Sequence, residues 1–488
     1  MSENFLTTRR GRLTLLLLCA VAFMDFVDAS IVNVALPSIR RDLHFSVQGL
    51  QWVPSAYLLT YGGFMLLGGR AADLLGRRRV LVVGTLVIGV SSLIGGLAGT
   101  PGVLIGARLA QGLGAALMLP SALSTLTTSF REGSDRQTAL GVWAAVAGLS
   151  SAAGVLFGGL LTQGPGWRWV MFVNPIACVL LLGPIFRLIP GERRTAKAAD
   201  FDFPGAAAAT GGMLLLVFAL VEAPDQGWGS ARTIAELVAA AVILAAFTLN
   251  ELRSRNPLLP MSIFRVRGLA AADAAQFIAF AGFTTMFFFV TLYMQNVLRY
   301  SPVKAGLAYL PLCFAVGFAA TGAGRLLSRA GTRPLIVAGA IVTAGGVYWL
   351  SRIPVHGSFL TDLLPGMLVM SVGIGVMFVA VATAANAGVR PDQAGLAAAL
   401  LNSAQQVGGA LGLAVLSAIA TARSNHLLAA GTPVPDALTS GFRRALLAGS
   451  IALAASAIIG FWVANTREQA DSAPTTRQPE PESAPVSQ

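Results

Sequence analysis

Long apolar runs recur along the chain and are separated by short stretches rich in arginine, glycine and proline. A helix needs about 20 apolar residues to cross a bilayer, and at that length the sequence contains fourteen candidate spans. Continuous runs predict helices, because the strands of a membrane barrel would alternate in polarity over about ten residues. The predicted spans are Leu13–Leu36, Leu50–Gly68, Val80–Ala98, Val103–Thr127, Thr138–Leu161, Trp169–Leu188, Gly205–Val221, Ile234–Leu252, Leu269–Val297, Ala305–Leu327, Leu335–Leu350, Leu363–Ala385, Gly395–Thr421 and Ala445–Ala464. We therefore expect an all-α polytopic membrane protein with fourteen transmembrane helices.

The composition excludes a soluble protein. Only 11% of the 488 residues are charged, whereas soluble domains carry roughly 25%. A soluble chain of this length would form about two or three domains, each needing a polar surface that so few charges cannot supply. A net charge of +12 would suggest a nucleic-acid partner in a soluble protein. Whether it does so here depends on where the basic residues lie along the chain.

The basic residues are unevenly divided between the two sides of the predicted membrane. With fourteen crossings and a cytoplasmic N-terminus, 23 of them fall on the cytoplasmic side and ten on the outer side. An excess of positive charge marks the cytoplasmic loops of membrane proteins. We therefore expect both termini in the cytoplasm, the lipid bilayer as the partner of this charge pattern, and no nucleic acid.

The first span is interpreted as a retained helix. Arg9, Arg10 and Arg12 precede it, as in a signal peptide, but the apolar stretch is long. It also leads to Pro37 without a small-residue cleavage site. The three cysteines and three histidines show no disulfide or zinc spacing, so we expect no metal and no cofactor.

An internal repeat divides the predicted helices into two blocks of six. The string GRAADLLGRRR (Gly69 to Arg79) follows the second span, and GRLLSRAGTRP (Gly324 to Pro334) follows the tenth. Each fills the loop after the second helix of its block, and parallel repeats of this kind suit a rocking transporter. The predicted divisions are residues 1–189 as an N-terminal six-helix bundle, 190–268 as linkers with two inserted helices, 269–466 as a C-terminal six-helix bundle, and 467–488 as a disordered cytoplasmic tail.

Several motifs resemble those of the major facilitator superfamily. The loop signature of that family is matched by five residues, Gly69, Asp73, Gly76, Arg77 and Arg78. RLAQGLGAA (Arg108 to Ala116) resembles the Arg-x-x-Gln-Gly motif of the fourth helix. GVLFGG (Gly154 to Gly159) resembles the antiporter motif of the fifth helix, with Val155 in place of the usual proline.

Three further strings narrow the resemblance to the drug:proton antiporter branch with fourteen helices. They are DASIVNVALP (Asp28 to Pro37), WRWVMFVNPI (Trp167 to Ile176) and LLNSAQQVGGALG (Leu400 to Gly412). The resemblance implies the major facilitator fold, with two six-helix bundles plus two inserted helices. It also implies a multidrug-resistance type of exporter that exchanges protons for a small drug-like compound.

Charged side chains inside the spans are the candidates for proton coupling or substrate binding, because a charge in lipid is costly and faces the protein interior. Asp28 and Asp25 lie one turn apart in the first span, and Asp28 belongs to one of the resembling strings. We take Asp28 as the first candidate and Asp25 as the reserve, with a helix-packing hydrogen bond as the alternative role. Asp273 is a weaker candidate, close to the cytoplasmic end of its span, and Glu222 is another, placed in an outer loop.

Arg108 is the one basic residue well inside a predicted span. A guanidinium group in lipid has to be paired or hydrated, so it either tunes a nearby carboxyl group or forms a structural hydrogen-bond hub with Gln111. Gln111, Asn402 and Gln405 are the polar candidates for lining a cavity. Aromatic side chains could line a cavity for flat cationic drugs, but packing against lipid or the protein core is the expected role of each one. These residues are Trp52, Tyr57, Tyr61, Trp143, Phe280 and Phe287.

The family resemblance implies a gating role for the loop from Gly69 to Arg78, in which Asp73 would dock on a helix N-terminus of the other bundle. Gly154, Gly158 and Gly159 form a small-residue face that lets helices approach closely.

We expect a proton-coupled secondary exporter of hydrophobic, cationic drugs or antibiotics, acting as a monomer in the cell membrane. The alternative within transport is a dedicated exporter of one metabolite or self-made antibiotic, and the alternative outside it is a non-transporting membrane sensor. An ATP-driven pump is excluded for this chain, since neither Lys197 nor Lys304 follows a glycine as a phosphate loop requires. No catalytic motif indicates an enzyme.

Overall fold

The computed structural model describes residues 8–46, 48–130, 134–191, 202–254, 257, 261–266, 268–387, 389, 394–463 and 465. The predicted linker core and the predicted disordered tail lie outside these residues. Within them the chain forms fourteen long helices and no strand. The helices are α1 (Arg9–Leu43), α2 (Trp52–Leu75), α3 (Arg77–Gly96), α4 (Pro101–Ser129), α5 (Ser134–Gln163), α6 (Arg168–Leu188), α7 (Phe203–Gln226), α8 (Ala231–Arg253), α9 (Leu269–Leu292), α10 (Pro302–Ala330), α11 (Thr332–Leu350), α12 (Leu364–Asn386), α13 (Ala394–Ala429) and α14 (Val434–Gly460).

The predicted all-α polytopic fold is confirmed. Twelve helices in the described part of the chain are long and apolar enough to cross a membrane. The other two, α2 and α5, have 24 and 30 residues, enough for about 36 and 45 Å of helix, and pack between members of the twelve. One expectation is wrong: Glu222 lies inside α7 and not in a loop, because the helix continues to Gln226, whose amide donates a hydrogen bond to the Glu222 carboxylate.

Helices α1–α6, here the first half, and α9–α14, the second half, pack in matching patterns. In the first half α1 contacts α5 and α6, α4 contacts α2 and α3, and α3 contacts α6. In the second half α9 contacts α13 and α14, α12 contacts α10 and α11, and α11 contacts α14. The halves meet where α2 crosses α13 and α5 crosses α10.

The repeated loop turns at a glycine with positive φ in both halves. Gly76, between α2 and α3, has φ 97°, and Gly331, between α10 and α11, has φ 79°. Side chains other than glycine rarely adopt this region, so each glycine is what allows the sharp turn. Arg78 donates to the carbonyl of Ile189 after α6, and its counterpart Arg333 donates to the carbonyl of Val463 after α14.

Glycines place α1 and α9 in equivalent registers. A Cβ on Gly154 of α5 would contact the Val27 carbonyl, and one on Gly158 would lie 2.6 Å from the Ile31 carbonyl oxygen. In the second half Gly408 of α13 lies in the same way against Phe277, and Gly412 lies against Ala281. Val27 therefore corresponds in depth to Phe277, and Ile31 to Ala281.

The halves touch on one side of the membrane and diverge on the other. On the side away from the start of α1, here the distal side, the Gln295 amide donates to the Val34 carbonyl at 2.8 Å, and Gly159 lies against Pro302. On the opposite side, here the terminal side, Leu140 of α5 and Phe378 of α12 line a recess of about 910 Å³. The structure is therefore closed distally and open toward its termini.

The two inserted helices form a hairpin beside the α2–α13 crossing. Helix α7 contacts α8, α2 and α13, and Phe218 of α7 lies with its ring 6.4 Å from that of Trp52. Helix α8 is apolar and largely exposed, as shown by Val238 and Val242. Such a surface is suited to lipid.

Candidate functional site

Five buried side chains from four helices form a closed ring of hydrogen bonds in the first half. We call it the Asp28 ring; its members are Asp28 (α1), Ser92 (α3), Arg108 and Gln111 (α4) and Asn174 (α6). Arg108 makes an ion pair with Asp28 at 2.8 Å and donates to the Gln111 amide oxygen at 2.8 Å. Gln111 and Asn174 both donate to the Ser92 hydroxyl oxygen, and Asn174 also donates to the other oxygen of Asp28. Each member thus bonds to two others.

Asp25 lies beside this ring and is held by two tyrosine hydroxyl groups. Tyr57 donates to one oxygen of Asp25 at 3.2 Å, and Tyr61 donates to the other at 3.0 Å. The guanidinium carbon of Arg108 lies 4.3 Å from the centre of the Tyr57 ring. Tyr57 therefore contacts both the Asp25 carboxylate and the only cation of the ring.

Local sequence explains why α4 can present Arg108 here. Thr100 caps the helix by accepting a hydrogen bond from the Val103 amide, and Pro101 follows at the first helical position. Arg108 and Gln111 are three residues apart and share a face. Gly112, next to that face, lets α4 approach the α2 backbone at Tyr57, so the Arg108 guanidinium also reaches the Val53 carbonyl at 3.1 Å.

The charges of this site do not balance. Asp25, Asp28 and Arg108 are each at most 3% exposed, and one guanidinium faces two carboxyl groups. Uncompensated charge in an apolar interior is strongly unfavourable, and one proton on the pair of carboxyl groups would neutralise the site. Because Arg108 is bonded to Asp28, Asp25 is the carboxyl group without a cationic partner.

The polar cavity candidates do not gather at one place. Gln111 is fully buried in the Asp28 ring in this conformation, and its role in lining a cavity stays a prediction. Gln405 lies in the second half, where it accepts a hydrogen bond from Gln276 at 2.8 Å. Asn402 donates to the Ala398 carbonyl of its own helix. Gln111 therefore lies in the first half, whereas Asn402 and Gln405 lie in the second, and the sequence alone does not reveal this separation.

Asp273 is the fifth residue of α9, close to the helix end that the sequence predicts, yet it is only 7% exposed. It lies four residues before Phe277, whereas Asp25 lies two residues before the equivalent Val27. The two carboxyl groups therefore differ in depth by two residues, about 3 Å of helix.

The loop residues that the family motif singles out hold the first half together in this conformation. Arg77 donates to Ser124 at 2.8 Å and to Thr128 at 2.9 Å, both on α4. Arg78 donates to the Ile189 carbonyl and lies over the Phe186 ring of α6. Gly69 faces Pro120 of α4. The side chain of Asp73 lies outside the described part of the structure, so its docking stays a prediction.

Sequence reasoning missed four of the residues at the site. Asn174 and Ser92 complete the ring, and Tyr57 and Tyr61 bond Asp25 where only aromatic packing was expected. Asn174 stands in the string WRWVMFVNPI as a polar residue in an apolar span, a signal that could have found it. Ser92 had no such signal, because serine occurs in many of the predicted spans.

Comparisons with known proteins agree with this geometry. The family model described as Major Facilitator Superfamily matches residues 18–413. The chain is 42% identical over 431 residues to the puromycin resistance protein pur8 of Streptomyces alboniger, covering 88% of this chain and 85% of that protein. It is 34% identical over 415 residues to the multidrug resistance protein Stp of Mycobacterium tuberculosis (strain CDC 1551 / Oshkosh), covering 85% and 76%.

Solved structures share the fold at low sequence identity. A bacterial homologue of the human lysosomal transporter Spinster, in an inward-facing and occupied conformation, gives a TM-score of 0.67 at 16% identity, over 93% of this chain and 97% of the other. A D-xylose–proton symporter gives 0.65 at 13% identity, over 93% and 98%. The resemblance inferred from the motifs is confirmed, and the chain belongs to the Major Facilitator Superfamily.

Proposed function

We propose that this chain is a proton-coupled exporter that expels hydrophobic, cationic drugs or antibiotics across the cell membrane. The observation that carries the proposal is the buried site in which Asp25 and Asp28 share one cation, Arg108. The names of the relatives, which include single-antibiotic and multidrug resistance proteins, support drug-like substrates.

The proton resides on Asp25 while Arg108 is bonded to Asp28. Losing that proton leaves a second buried negative charge beside Arg108, which favours a rearrangement of the guanidinium between the two carboxyl groups. Arg108 also contacts the α2 backbone at Val53 and the ring of Tyr57, and α2 crosses α13 of the other half. Proton occupancy is thereby linked to the interface on which the halves rock.

The remaining parts of the proposal concern the setting. The excess of basic residues on the terminal side supports cytoplasmic termini, so the open recess faces the cytoplasm. The two halves act as the bundles predicted at 1–189 and 269–466, and Asp73 in the loop at Gly69 to Arg78 acts as a gate. The protein functions as a monomer in the bilayer and carries out no catalysis.

Ethidium efflux from cells tests the proposal. We expect wild-type efflux to stop when an uncoupler collapses the proton gradient. Asp25→Asn and Asp28→Asn should each reduce efflux at least tenfold, whereas Asp436→Asn, at an exposed position in the first turn of α14, should stay within twofold of wild type. Uncoupler-sensitive efflux that survives both aspartate substitutions would refute the proposed proton site.

A dedicated exporter is the second candidate, and a specific observation favours it. Several relatives carry the name of one antibiotic, among them the cephamycin export protein CmcT of Amycolatopsis lactamdurans, 39% identical over 414 residues. Efflux measured across a panel of structurally unrelated cations separates the two: a broad pump moves several, and a dedicated exporter moves one or none. A non-transporting sensor would move none and would show no proton flux.

A further inference from the structure

A second group of buried polar side chains lies in the second half, away from the Asp28 ring. We call it the Asp273 cluster; its members are Asp273 and Gln276 of α9 and Gln405 of α13. Asp273 is 7% exposed and Gln276 is 4% exposed. Neither carboxylate oxygen of Asp273 has a hydrogen-bond partner among the described residues, and the same holds for the amide oxygen of Gln276. The Gln276 nitrogen is oriented by its hydrogen bond to Gln405.

The unmet groups are acceptors, and the described residues place no cation beside them. Asp273 and Gln276 are three residues apart on one face of α9, so their side chains are neighbours. Helix α12 has no charged residue, and the basic residues of α13 and α14 lie toward the distal side; they are Arg423, His426, Arg443 and Arg444. Arg265, before α9, is exposed. A buried carboxylate without a partner is strongly unfavourable, so the cluster is suited to a ligand that brings positive charge and hydrogen-bond donors.

An aromatic path connects the cluster to the open recess. Phe280 lies two turns after Asp273 on the same face of α9, and its ring centre is 6.1 Å from that of Phe378 on α12. Phe378 lines the recess on the terminal side. A flat aromatic cation could thus lie against these rings with its charged nitrogen directed toward Asp273.

The cluster also lies close to the contact between the halves. Gly62 of α2 packs against Gln406 and against the Ser403 carbonyl of α13, one helical turn or less from Gln405. A Cβ on Gly62 would be only 3.0 Å from the Gln406 side chain, so any rotation between the halves changes the cover over this part of α13. Ligand binding at the Asp273 cluster and the rocking motion of the halves therefore both involve the α2–α13 crossing.

We propose that the Asp273 cluster binds the cationic nitrogen of the exported compound, while the carboxyl groups of the first half hold the proton. This inference rests on the proposed export function and adds to it the residues that recognise substrate charge. It assigns the two halves different tasks, since Asp25 and Asp28 have their hydrogen bonds satisfied within the protein and Asp273 does not.

Binding measurements on the purified full chain in lipid nanodiscs test this inference. The probes are tetraphenylphosphonium, a lipophilic cation, and Nile red, an uncharged lipophilic dye. We expect Asp273→Asn to weaken tetraphenylphosphonium binding at least tenfold and to leave Nile red binding within twofold. Asp273→Glu, which keeps the charge, should restore most of the cation binding, and Asp436→Asn, at an exposed position on α14, is the control that should change the binding of neither probe.

A merely structural role gives a different result. If Asp273→Asn weakens both probes equally, or lowers the thermal unfolding midpoint in parallel with binding, or leaves cation binding unchanged, the inference is wrong. Gln276→Met provides a second variant that keeps the side-chain size and removes an acceptor; it should weaken the cation alone, about threefold. Wild-type protein that binds neither probe would overturn the inference, whereas wild-type proteoliposomes that bind both but show no proton-driven ethidium efflux would overturn the proposed export mechanism.

Discussion

The first helices of the two halves, α1 and α9, occupy equivalent positions and both carry buried carboxyl groups, yet the surroundings of those groups differ. Around Asp28 each member of the ring bonds to two others, and Arg108 supplies the counter-charge. Around Asp273 the acceptors are unmet and the described residues offer no cation. The two halves thus have equivalent helix packing, and the polar residues around the carboxyl groups differ. In the first half they satisfy the carboxyl groups within the protein, and in the second half they leave a site suited to a ligand.

Replacing Arg108, the cation of the Asp28 ring, should have the largest effect on stability and on efflux. Arg108→Leu leaves Asp28 buried without its ion pair, and we expect the free energy of unfolding to fall by about 3–5 kcal/mol, with loss of efflux. Arg168→Leu removes the partner of Asp42 in a pair that is 40% and 44% exposed, and it should cost about 1 kcal/mol or less. Denaturant unfolding of the two variants in detergent provides the comparison, and equal losses would contradict the buried ion pair.

The pairing itself can be tested with a double variant. Asp28→Asn alone removes the ion pair but leaves Asp25 able to ionise beside Arg108, so it should cost less than Arg108→Leu, about 1–3 kcal/mol. Asp28→Asn combined with Arg108→Leu should be more stable than Arg108→Leu alone, because the buried carboxylate that lost its cation is then also absent. Additive losses in this cycle would show that the two residues act independently.

The equivalence of α1 and α9 predicts matched effects at the glycine contacts. Gly158→Ala places a Cβ 2.6 Å from the Ile31 carbonyl oxygen, and overpacking of this kind costs about 1–3 kcal/mol. Gly412→Ala, at the equivalent α13 contact with Ala281, should behave alike. Gly183→Ala in α6 meets nothing within 4 Å and should be neutral or stabilising by up to about 1 kcal/mol. Unfolding midpoints that fail to separate the first two variants from the third would refute the registers.

The smallest effect is expected for a single hydroxyl group of the ring. Ser92→Ala removes the acceptor shared by Gln111 and Asn174, and we expect a loss of about 1–2 kcal/mol. The matched variant Ser371→Ala removes a hydroxyl bonded only within α12, to the Met367 carbonyl. Its loss of unfolding free energy should be roughly half as large or less, and a larger loss there would contradict the ring.

The fold was predictable because lipid imposes a strong constraint. A spanning segment has to be apolar and helical, so hydropathy located all fourteen helices, and the repeated Gly76 and Gly331 turns located their symmetry. The importance of Asp28 and Arg108 could be predicted because placing a charged side chain in lipid is energetically unfavourable. Their contact could not, because they are 80 residues apart in sequence and the packing of α1 against α4 sets the distance.

Depth within the membrane was the harder property. Asp273 stands near the start of its predicted span, which suggested contact with solvent. The Gly154 and Gly408 contacts show that α9 begins deeper in the bundle than α1 does, so counting residues from a segment end misplaces the side chain. Tertiary register, and not hydropathy, determines which charges of a membrane helix are buried.

The central claim is that Asp25 and Asp28 hold the proton that is exchanged for substrate. It is tested most directly by measuring proton flux and ethidium efflux together in proteoliposomes under an imposed pH gradient, with wild type and Asp25→Asn. The account predicts coupled fluxes in wild type, and for Asp25→Asn at least a tenfold loss of both with ethidium binding kept within twofold. Undiminished coupled fluxes in Asp25→Asn and in Asp28→Asn would contradict it.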